Sequence, residues 1–217
     1  LKEQDSLYAT SIVPLYLQSL RKAEKTDEWK NTNMYLKSIK DFQKKYAGDI
    51  LPSERETKLE IWYYDLQIFY KLFKAYGLIG LILLLVLFVQ ILAGGFQLRY
   101  FWKAVFYIVL VLFLLHTSGL AMRWIISEHA PWSNGYEALI YISWATILAG
   151  LIFSSKSEVS LTATLILSAL ILHVAHLSWM DPQITQLVPV LKSYWLVIHV
   201  AIITASYSFL GMGAVLG

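Results

Sequence analysis

Residues 189–200 read PVLKSYWLVIHV and lead from a polar stretch into a hydrophobic run that continues to Gly217. Trp195 and His199 are four residues apart, so a helix places them on one face, one turn apart. His199 then lies about one turn inside a membrane helix. A neutral imidazole is a good iron ligand, and an indole one turn away can pack against a flat macrocycle. Alternatively, the histidine is an ordinary polar residue at the membrane interface, and the tryptophan belongs to the aromatic belt.

The amino-acid composition of the whole chain is that of a membrane protein. Hydrophobic residues make up 57% of the 217 residues, which is too apolar for an ordinary soluble domain. Residues 1–76 hold 13 Lys or Arg and 11 Asp or Glu, whereas the rest of the chain holds five and four. A soluble, helix-rich segment therefore precedes an integral membrane segment. The small net charge of +3 is spread out, which argues against a nucleic-acid partner, and the lack of cysteine excludes disulfides and thiolate metal sites.

Five apolar runs are long enough, or nearly so, to span a bilayer. They are residues 77–94, 103–125, 136–153, 159–178 and 195–217. The predicted fold is therefore all-α: a polytopic membrane helix bundle of about five transmembrane helices, preceded by a small helical extramembrane segment.

The first 76 residues contain helical patterns without a catalytic grouping. Apolar positions recur at helical spacing over residues 12–24 and again from Trp29 onward, which predicts a helical hairpin in which Thr26 caps the second helix. Ser53 and Glu56 are spaced as a capping box and predict the start of an amphipathic helix that leads into the membrane.

The positive charges indicate an orientation. Residues 95–103 carry two cations and no anion, and the loop 154–158 carries Lys156 and Glu158. The positive-inside rule places these two loops in the cytoplasm. Residues 1–76 and the loops 126–135 and 179–194 are then predicted on the outer face.

Ionisable residues inside membrane segments are costly and suggest function. His116, Gly119 and Arg123 share one helical face, on which Gly119 leaves room for close packing. Arg123 can meet an anionic group such as a propionate, or a loop carboxylate, with its planar guanidinium. Alternatively, Arg123 reaches to the interface and His116 bonds a neighbouring helix.

Two further groups of polar residues lie at the predicted outer face. His173 and His176 have the spacing of a metal-binding pair, although interfacial histidines use the same spacing. The loop after Ser127 contains His129 and Trp132, which can line the rim of a pocket, and Ser133 or Asn134 can cap the next helix. A capped loop with belt aromatics would use the same residue types.

Several of these motifs resemble one family. The set is Arg123-Trp124, His129-Ala130-Pro131, Ser133 to Glu137, Trp144, Trp195 to Val200 and Ser206-Tyr207. It is similar to the first half of the CcsA/ResC-type cytochrome c assembly proteins, up to the segment before their tryptophan-rich "WWD" domain. Residues 1–94 resemble the end of a ResB/CcsB-type partner.

The resemblance implies a division of the chain. Residues 1–76 would be the helical external segment of the ResB-like part, and 77–94 its last transmembrane helix. Residues 95–217 would be the N-terminal part of the CcsA/ResC-like membrane domain. The whole would be a fused cytochrome c synthetase that continues beyond Gly217, in the bacterial inner (plasma) membrane.

The resemblance also implies a function. The family holds heme at the outer membrane face for thioether attachment to the Cys-x-x-Cys-His motif of an apocytochrome c. One axial ligand of the iron maps onto His199, and the second would lie outside this chain. Heme b, apocytochrome c and membrane lipid are the expected partners, and the expected heme-binding residues are His199, Trp195, Arg123, His129 and Trp132. No catalytic side chain is expected from this chain, because the reacting cysteines belong to the substrate.

Three other interpretations remain open from the residues alone. A multi-helix transporter or channel would use His116 and Arg123 along a translocation path. A structural membrane subunit would bind no ligand. A b-type cytochrome would need paired histidines at matching depths, and His116 and His173 lie at different predicted depths.

Overall fold

The computed structural model describes residues 3–48, 51–94, 98–154, 157–178, 180–184 and 193–217. These residues form eight helices and no strand, as the sequence predicts. The helices are α1 (Glu3–Thr26), α2 (Lys30–Ala47), α3 (Glu54–Leu66), α4 (Ile68–Leu92), α5 (Arg99–Ser127), α6 (Gly135–Phe153), α7 (Glu158–Ala175) and α8 (Tyr194–Leu216). The chain divides into two compact units, Leu1–Thr57 and Lys58–Gly217.

The first unit contains the predicted helical hairpin. Helices α1 and α2 meet through the hydroxyls of Tyr8 and Ser38 and through the rings of Tyr8 and Phe42, whose centroids are 4.8 Å apart. The predicted cap of α2 is wrong. The Thr26 hydroxyl donates to the carbonyl oxygen of Lys22 at 3.0 Å, inside α1, and Trp29 precedes α2 without a side-chain cap. A threonine near a helix end often bonds back to its own helix in this way.

The predicted capping box is confirmed at the start of α3. The Ser53 amide donates to Glu56 Oε2 at 2.7 Å, and the Glu56 amide donates to Ser53 Oγ at 3.2 Å. Helix α3 ends where Gln67 adopts a left-handed backbone with φ of 45°. This single residue separates the amphipathic helix from α4.

Five segments among the described residues are long and apolar enough to cross a membrane. They are Glu54–Leu92, Arg99–Ser127, Gly135–Phe153, Glu158–Ala175 and Tyr194–Leu216. Each contains most of one predicted run, so the number and order of the spans are confirmed. The first helical segment begins before the predicted residue 77, because α4 already starts at Ile68.

Helices α6 and α7 form the centre of the second unit. About half of each apolar stretch is buried, 50% and 56%, against 11% for α8. Small polar residues allow the close approach: the hydroxyls of Ser143 and Ser168 lie 2.6 Å apart. Gly119 has the packing role that its position suggests, since a Cβ there would lie 3.1 Å from Phe69 of α4. Small residues at such contacts are typical of membrane helices.

Gly150 gives a test of this packing. A Cβ added at Gly150 would lie 2.1 Å from Thr164 Oγ1 and 2.9 Å from Thr164 Cβ. Gly150→Ala should therefore destabilise the protein by about 1–3 kcal/mol, as overpacking usually does. The matched control is Gly213→Ala in α8, where an added Cβ would meet nothing within 4 Å. Alanine's higher helix propensity should there leave stability unchanged or raise it by up to about 1 kcal/mol. Thermal unfolding in detergent checks both, and equal shifts for the two variants would contradict the packing.

Candidate functional site at one end of the bundle

The five residues expected to bind heme lie at one end of the second unit. The C-terminus of α5 and the N-termini of α6 and α8 meet at this end, because successive spans run in opposite directions. The turn after α5 begins with Glu128 in the left-handed conformation, with φ of 56°. Asn134 caps α6 by accepting the Glu137 amide at 2.8 Å, which confirms one of the two predicted caps.

Arg123 is the most fully engaged polar residue of this end. Its side chain has 0% exposure. Its Nε donates to Glu137 Oε1 at 2.8 Å, and its Nη1 donates to the Tyr63 hydroxyl at 3.2 Å and to the Pro182 carbonyl oxygen at 2.9 Å. Its Nη2 donates to the Gln183 carbonyl oxygen at 3.1 Å. One guanidinium therefore joins α5 to α6, α3 and the segment that follows α7.

Glu137 completes this network from the first turn of α6. It is also fully buried, and its second oxygen accepts the Ser133 amide at 2.8 Å. The ring of Tyr136 lies against the guanidinium, 5.1 Å from its carbon to the ring centroid. A buried ion pair of this kind is tolerated because hydrogen bonds satisfy both partners. The pair fixes the two ends of the turn from Ser127 to Gly135.

Trp132 connects this turn to α8. Its indole Nε1 donates to the carbonyl oxygen of Val197 at 3.1 Å. Its ring packs edge-on against Trp124, with centroids 5.8 Å apart, and against Tyr141 at 4.9 Å. The contact with Val197 lies two residues before His199, so the aromatic turn and the predicted ligand helix are joined.

Trp195 and His199 lie on the outer surface of α8. Trp195 is 78% exposed, and His199 is exposed as well. Neither is part of the Arg123 network as the described contacts define it. An exposed imidazole keeps its ring nitrogens available to a ligand that arrives from outside the chain.

His129 lies in the turn itself. Its Nδ1 lies 3.1 Å from the carbonyl oxygen of Ala130, a distance at which Nδ1–H donates. The Ser127 hydroxyl donates to the His129 carbonyl oxygen at 3.0 Å and the Ser133 hydroxyl donates to the Ala130 carbonyl oxygen at 2.8 Å, so local bonds hold the turn. Within the described ranges, no group of three or more His, Asp or Glu residues is arranged to hold a metal ion.

His116 is bound inside the bundle. Its Nε2 lies 3.1 Å from the Ile140 carbonyl oxygen, and its Nδ1 lies 3.4 Å from the Tyr76 hydroxyl. A neutral ring suits these contacts when Nε2–H donates to the carbonyl and Nδ1 accepts. The single proton of the Tyr76 hydroxyl is then shared between His116 Nδ1 and the Leu112 carbonyl oxygen, each at 3.4 Å. This matches the alternative in which His116 bonds a neighbouring helix.

The structure thus brings some predicted residues together and leaves others apart. Trp132 is tied to the start of α8, whereas Arg123 is buried beside Glu137 with four of its N–H groups used within the chain. The expectation that a loop carboxylate pairs with Arg123 is confirmed by Glu137, whereas sequence reasoning missed Tyr63 as a further partner. The available signal was that a cation and an anion, fourteen residues apart in apolar surroundings, each need a partner.

The fold and the residues at this end of the second unit define a polytopic helical membrane protein. It has an aromatic turn, a buried ion pair and an exposed histidine on α8. Residues 132–217 match the family model described as cytochrome C assembly protein. Residues 132–217 therefore belong to the CcsA-type cytochrome c assembly proteins, as the motifs in this part of the chain suggest.

Individual relatives support this membership. Protein NrfI of Wolinella succinogenes is 41% identical over 182 residues, which is 84% of this chain and 20% of NrfI. Cytochrome c biogenesis protein CcsA of Prochlorococcus marinus is 34% identical over 118 residues, 52% of this chain and 38% of that protein. CcsA of Chlorella vulgaris is 37% identical over 101 residues, 45% of this chain and 32% of that protein. The chain therefore spans well under two thirds of the length of each of these relatives.

Proposed function

We propose that this chain is part of a cytochrome c synthetase (heme lyase) that translocates heme, holds it at the outer membrane face and promotes its attachment to apocytochrome c. The observation that carries the proposal is the bond from Trp132 Nε1 to the Val197 carbonyl oxygen. It joins the turn that carries the family's motif to the helix turn that carries His199. Both ends of this bond lie in the region that matches the family.

His199 is the proposed axial ligand of the heme iron. It fits this role because its imidazole is exposed on α8. Trp195 lies one helical turn before it and presents a largely exposed indole, which can pack against a flat macrocycle. Trp132 and His129 form the proposed rim on the neighbouring turn. The second axial ligand would come from a part of the synthetase beyond residue 217.

Arg123 serves the proposed site through the backbone that it holds. Its bonds to the Pro182 and Gln183 carbonyl oxygens fix the segment after α7, and its bond to Glu137 fixes the start of α6. A direct contact between Arg123 and a heme propionate stays a prediction. The donor would be the one N–H of the guanidinium group that the four described bonds do not use.

The proposed chemistry needs no nucleophile from this chain. Each cysteine of the Cys-x-x-Cys-His motif adds its sulfur to one vinyl carbon of heme b, and a hydrogen is added to the other vinyl carbon. The addition needs no oxidant. The chain's residues hold the iron, orient the vinyl groups and limit access of water and oxidants.

The proposed location is the bacterial inner membrane, with residues 1–76 on the outer face. A ResB-like partner fused in the same chain, ending with the span at 77–94, would complete the synthetase. The cation distribution and the resemblance of residues 1–94 support this arrangement.

Reconstitution tests the proposed function. The full-length protein should be expressed with an apocytochrome c that carries Cys-x-x-Cys-His, in a bacterial host deleted for its own cytochrome c assembly genes. We expect covalently attached heme on the reporter, measured by heme staining after denaturing electrophoresis. A reporter whose cysteines are changed to serine is the control and should stay unstained. Absence of stained cytochrome c, with the protein present in the membrane, would contradict the proposal.

A further inference from the structure

Helix α4 carries two lysines in its first two turns, just before its long apolar stretch. Lys71 and Lys74 are both exposed, and residues 75–98 contain no charged residue. The two lysines therefore lie where the apolar span begins, at the depth of the lipid headgroups. Neither lysine forms an ion pair within the described ranges. Two cations at this depth thus lack a counter-ion from the described part of the chain.

The end of α7 lies beside these lysines. Helices α4 and α7 run in opposite directions along each other: an added Cβ at Gly80 would lie 2.9 Å from the Ile166 side chain, and the rings of Phe73 and His173 stack with centroids 5.3 Å apart. His173 is exposed. Since Phe73 immediately precedes Lys74 in α4, the imidazole of His173 lies at the level of the lysines.

Tyr70 connects the lysines to α7. Lys74 Nζ lies 4.0 Å from the centroid of the Tyr70 ring, and this ring lies 5.5 Å from the imidazole of His176. Tyr70 is 40% exposed. Within the described ranges, neither the Tyr70 hydroxyl nor the His173 ring makes a hydrogen bond to the protein. A hydroxyl and an imidazole N–H are therefore available as donors to a ligand.

The α4–α7 patch, which we define as Tyr70, Lys71, Lys74 and His173, contains no carboxylate. Helix α4 has no Asp or Glu, and α7 has only Glu158, in its first turn at the opposite end. The patch therefore presents two cations, a hydroxyl and an imidazole to one surface. Such donors suit a phosphate group, which accepts several charge-assisted hydrogen bonds.

The same face of α4 continues below the lysines as an apolar stripe. Leu78, Leu81 and Leu85 follow Lys71 and Lys74 at intervals of three and four residues, so all five share one helical face. The leucines are 62%, 55% and 59% exposed. A soluble anion would contact the lysines alone, whereas a phospholipid would also lay an acyl chain along the leucines. The stripe therefore favours a lipid as the source of the phosphate.

We propose that the α4–α7 patch is a binding site for an anionic phospholipid, whose phosphate contacts the patch and whose acyl chain lies along the leucine stripe of α4. The site is independent of the proposed function, because it follows from the charges, donors and apolar side chains of two helices. Because the lipid binds both helices, it stabilises this end of the bundle, where α3 also meets Arg123.

Native mass spectrometry of the purified full-length protein tests the site. Dioleoyl phosphatidylglycerol is the probe, and dioleoyl phosphatidylcholine is the zwitterionic comparison. Lys71→Gln combined with Lys74→Gln should weaken phosphatidylglycerol binding by about tenfold or more and leave phosphatidylcholine binding unchanged, since each cation contributes to the binding of an anionic lipid. The matched control is Lys37→Gln combined with Lys40→Gln, which removes two exposed cations from α2 and should change neither affinity.

A second variant keeps the packing of the patch. His173→Phe retains a ring against Phe73 but removes the N–H donor, so phosphatidylglycerol binding should weaken by about threefold. Glycerophosphoglycerol, the headgroup without acyl chains, should not displace the lipid at equal concentration, because it cannot use the leucine stripe. Equal phosphatidylglycerol affinities of the α4 and α2 double variants would overturn the proposal. Displacement of the lipid by the free headgroup or by inorganic phosphate at equal concentration would overturn it too, since it would indicate a site for soluble phosphate.

Discussion

Arg123→Ala should destabilise the protein by about 3–5 kcal/mol, among the largest effects expected of any single substitution in this chain. The variant leaves the Glu137 carboxylate buried with 0% exposure and without its counter-ion, and breaking a buried pair from one side has this cost. It also frees the Tyr63 hydroxyl and the carbonyl oxygens of Pro182 and Gln183. Arg123→Lys should recover only part of the loss, since an ammonium can pair with Glu137 but lacks the planar fork.

The measurement is the free energy of unfolding in mixed micelles, with Arg99→Ala as the control. Arg99 begins the same helix at its other end and is exposed, so its removal should change stability by no more than about 0.5 kcal/mol. A double variant, Arg123→Met with Glu137→Leu, should be less destabilised than the sum of the single changes, because no charge is left unpaired. Equal stabilities of the Arg123→Ala and Arg99→Ala variants would show that the buried pair does not hold this end together.

Local signals explain how much of the fold could be predicted. The capping box at Ser53 and Glu56 and the cap at Asn134 depend on residues three positions apart, so the sequence itself contains both partners. The five spans follow from apolar length alone. Thr26 shows the limit of this reasoning, because its hydroxyl had a second acceptor one turn earlier in α1.

The candidate site was predicted less completely, because its contacts join distant parts of the chain. The bond from Trp132 to Val197 spans 65 residues, and the bond from Arg123 to Tyr63 spans 60. Neither has a spacing that a periodic pattern would reveal. His173 and His176 illustrate the same point: their spacing suits a shared metal, yet both imidazoles stack on the ring of Phe73, with centroids 5.3 and 6.4 Å away.

His199→Ala should lower the yield of cytochrome c by about tenfold or more, the factor that corresponds to about 1.4 kcal/mol of lost ligand affinity. The fold should remain intact, because the imidazole is exposed on α8 and its removal leaves no cavity in a packed core. Exogenous imidazole should partly restore the yield, since a small ligand can occupy the vacated coordination position. Cytochrome c per folded synthetase is the quantity to measure.

A matched control lies on the same helix. Ser206 is exposed, and its hydroxyl donates to the Ile203 carbonyl oxygen of α8 itself at 2.6 Å. Ser206→Ala should therefore assemble cytochrome c at the wild-type level, with or without imidazole. If His199 contributed only to packing, yield would fall in proportion to the protein lost from the membrane, and imidazole would have no effect.

The most direct measurement of the central claim is the absorption spectrum of heme bound to the purified full-length protein, recorded for wild type and for His199→Ala. We expect wild type to show a Soret band of histidine-ligated heme. We expect His199→Ala to show less bound heme with a shifted band, and added imidazole to return the band toward the wild-type position. A His199→Ala protein with the wild-type heme content and spectrum would contradict the assignment of His199 as an iron ligand.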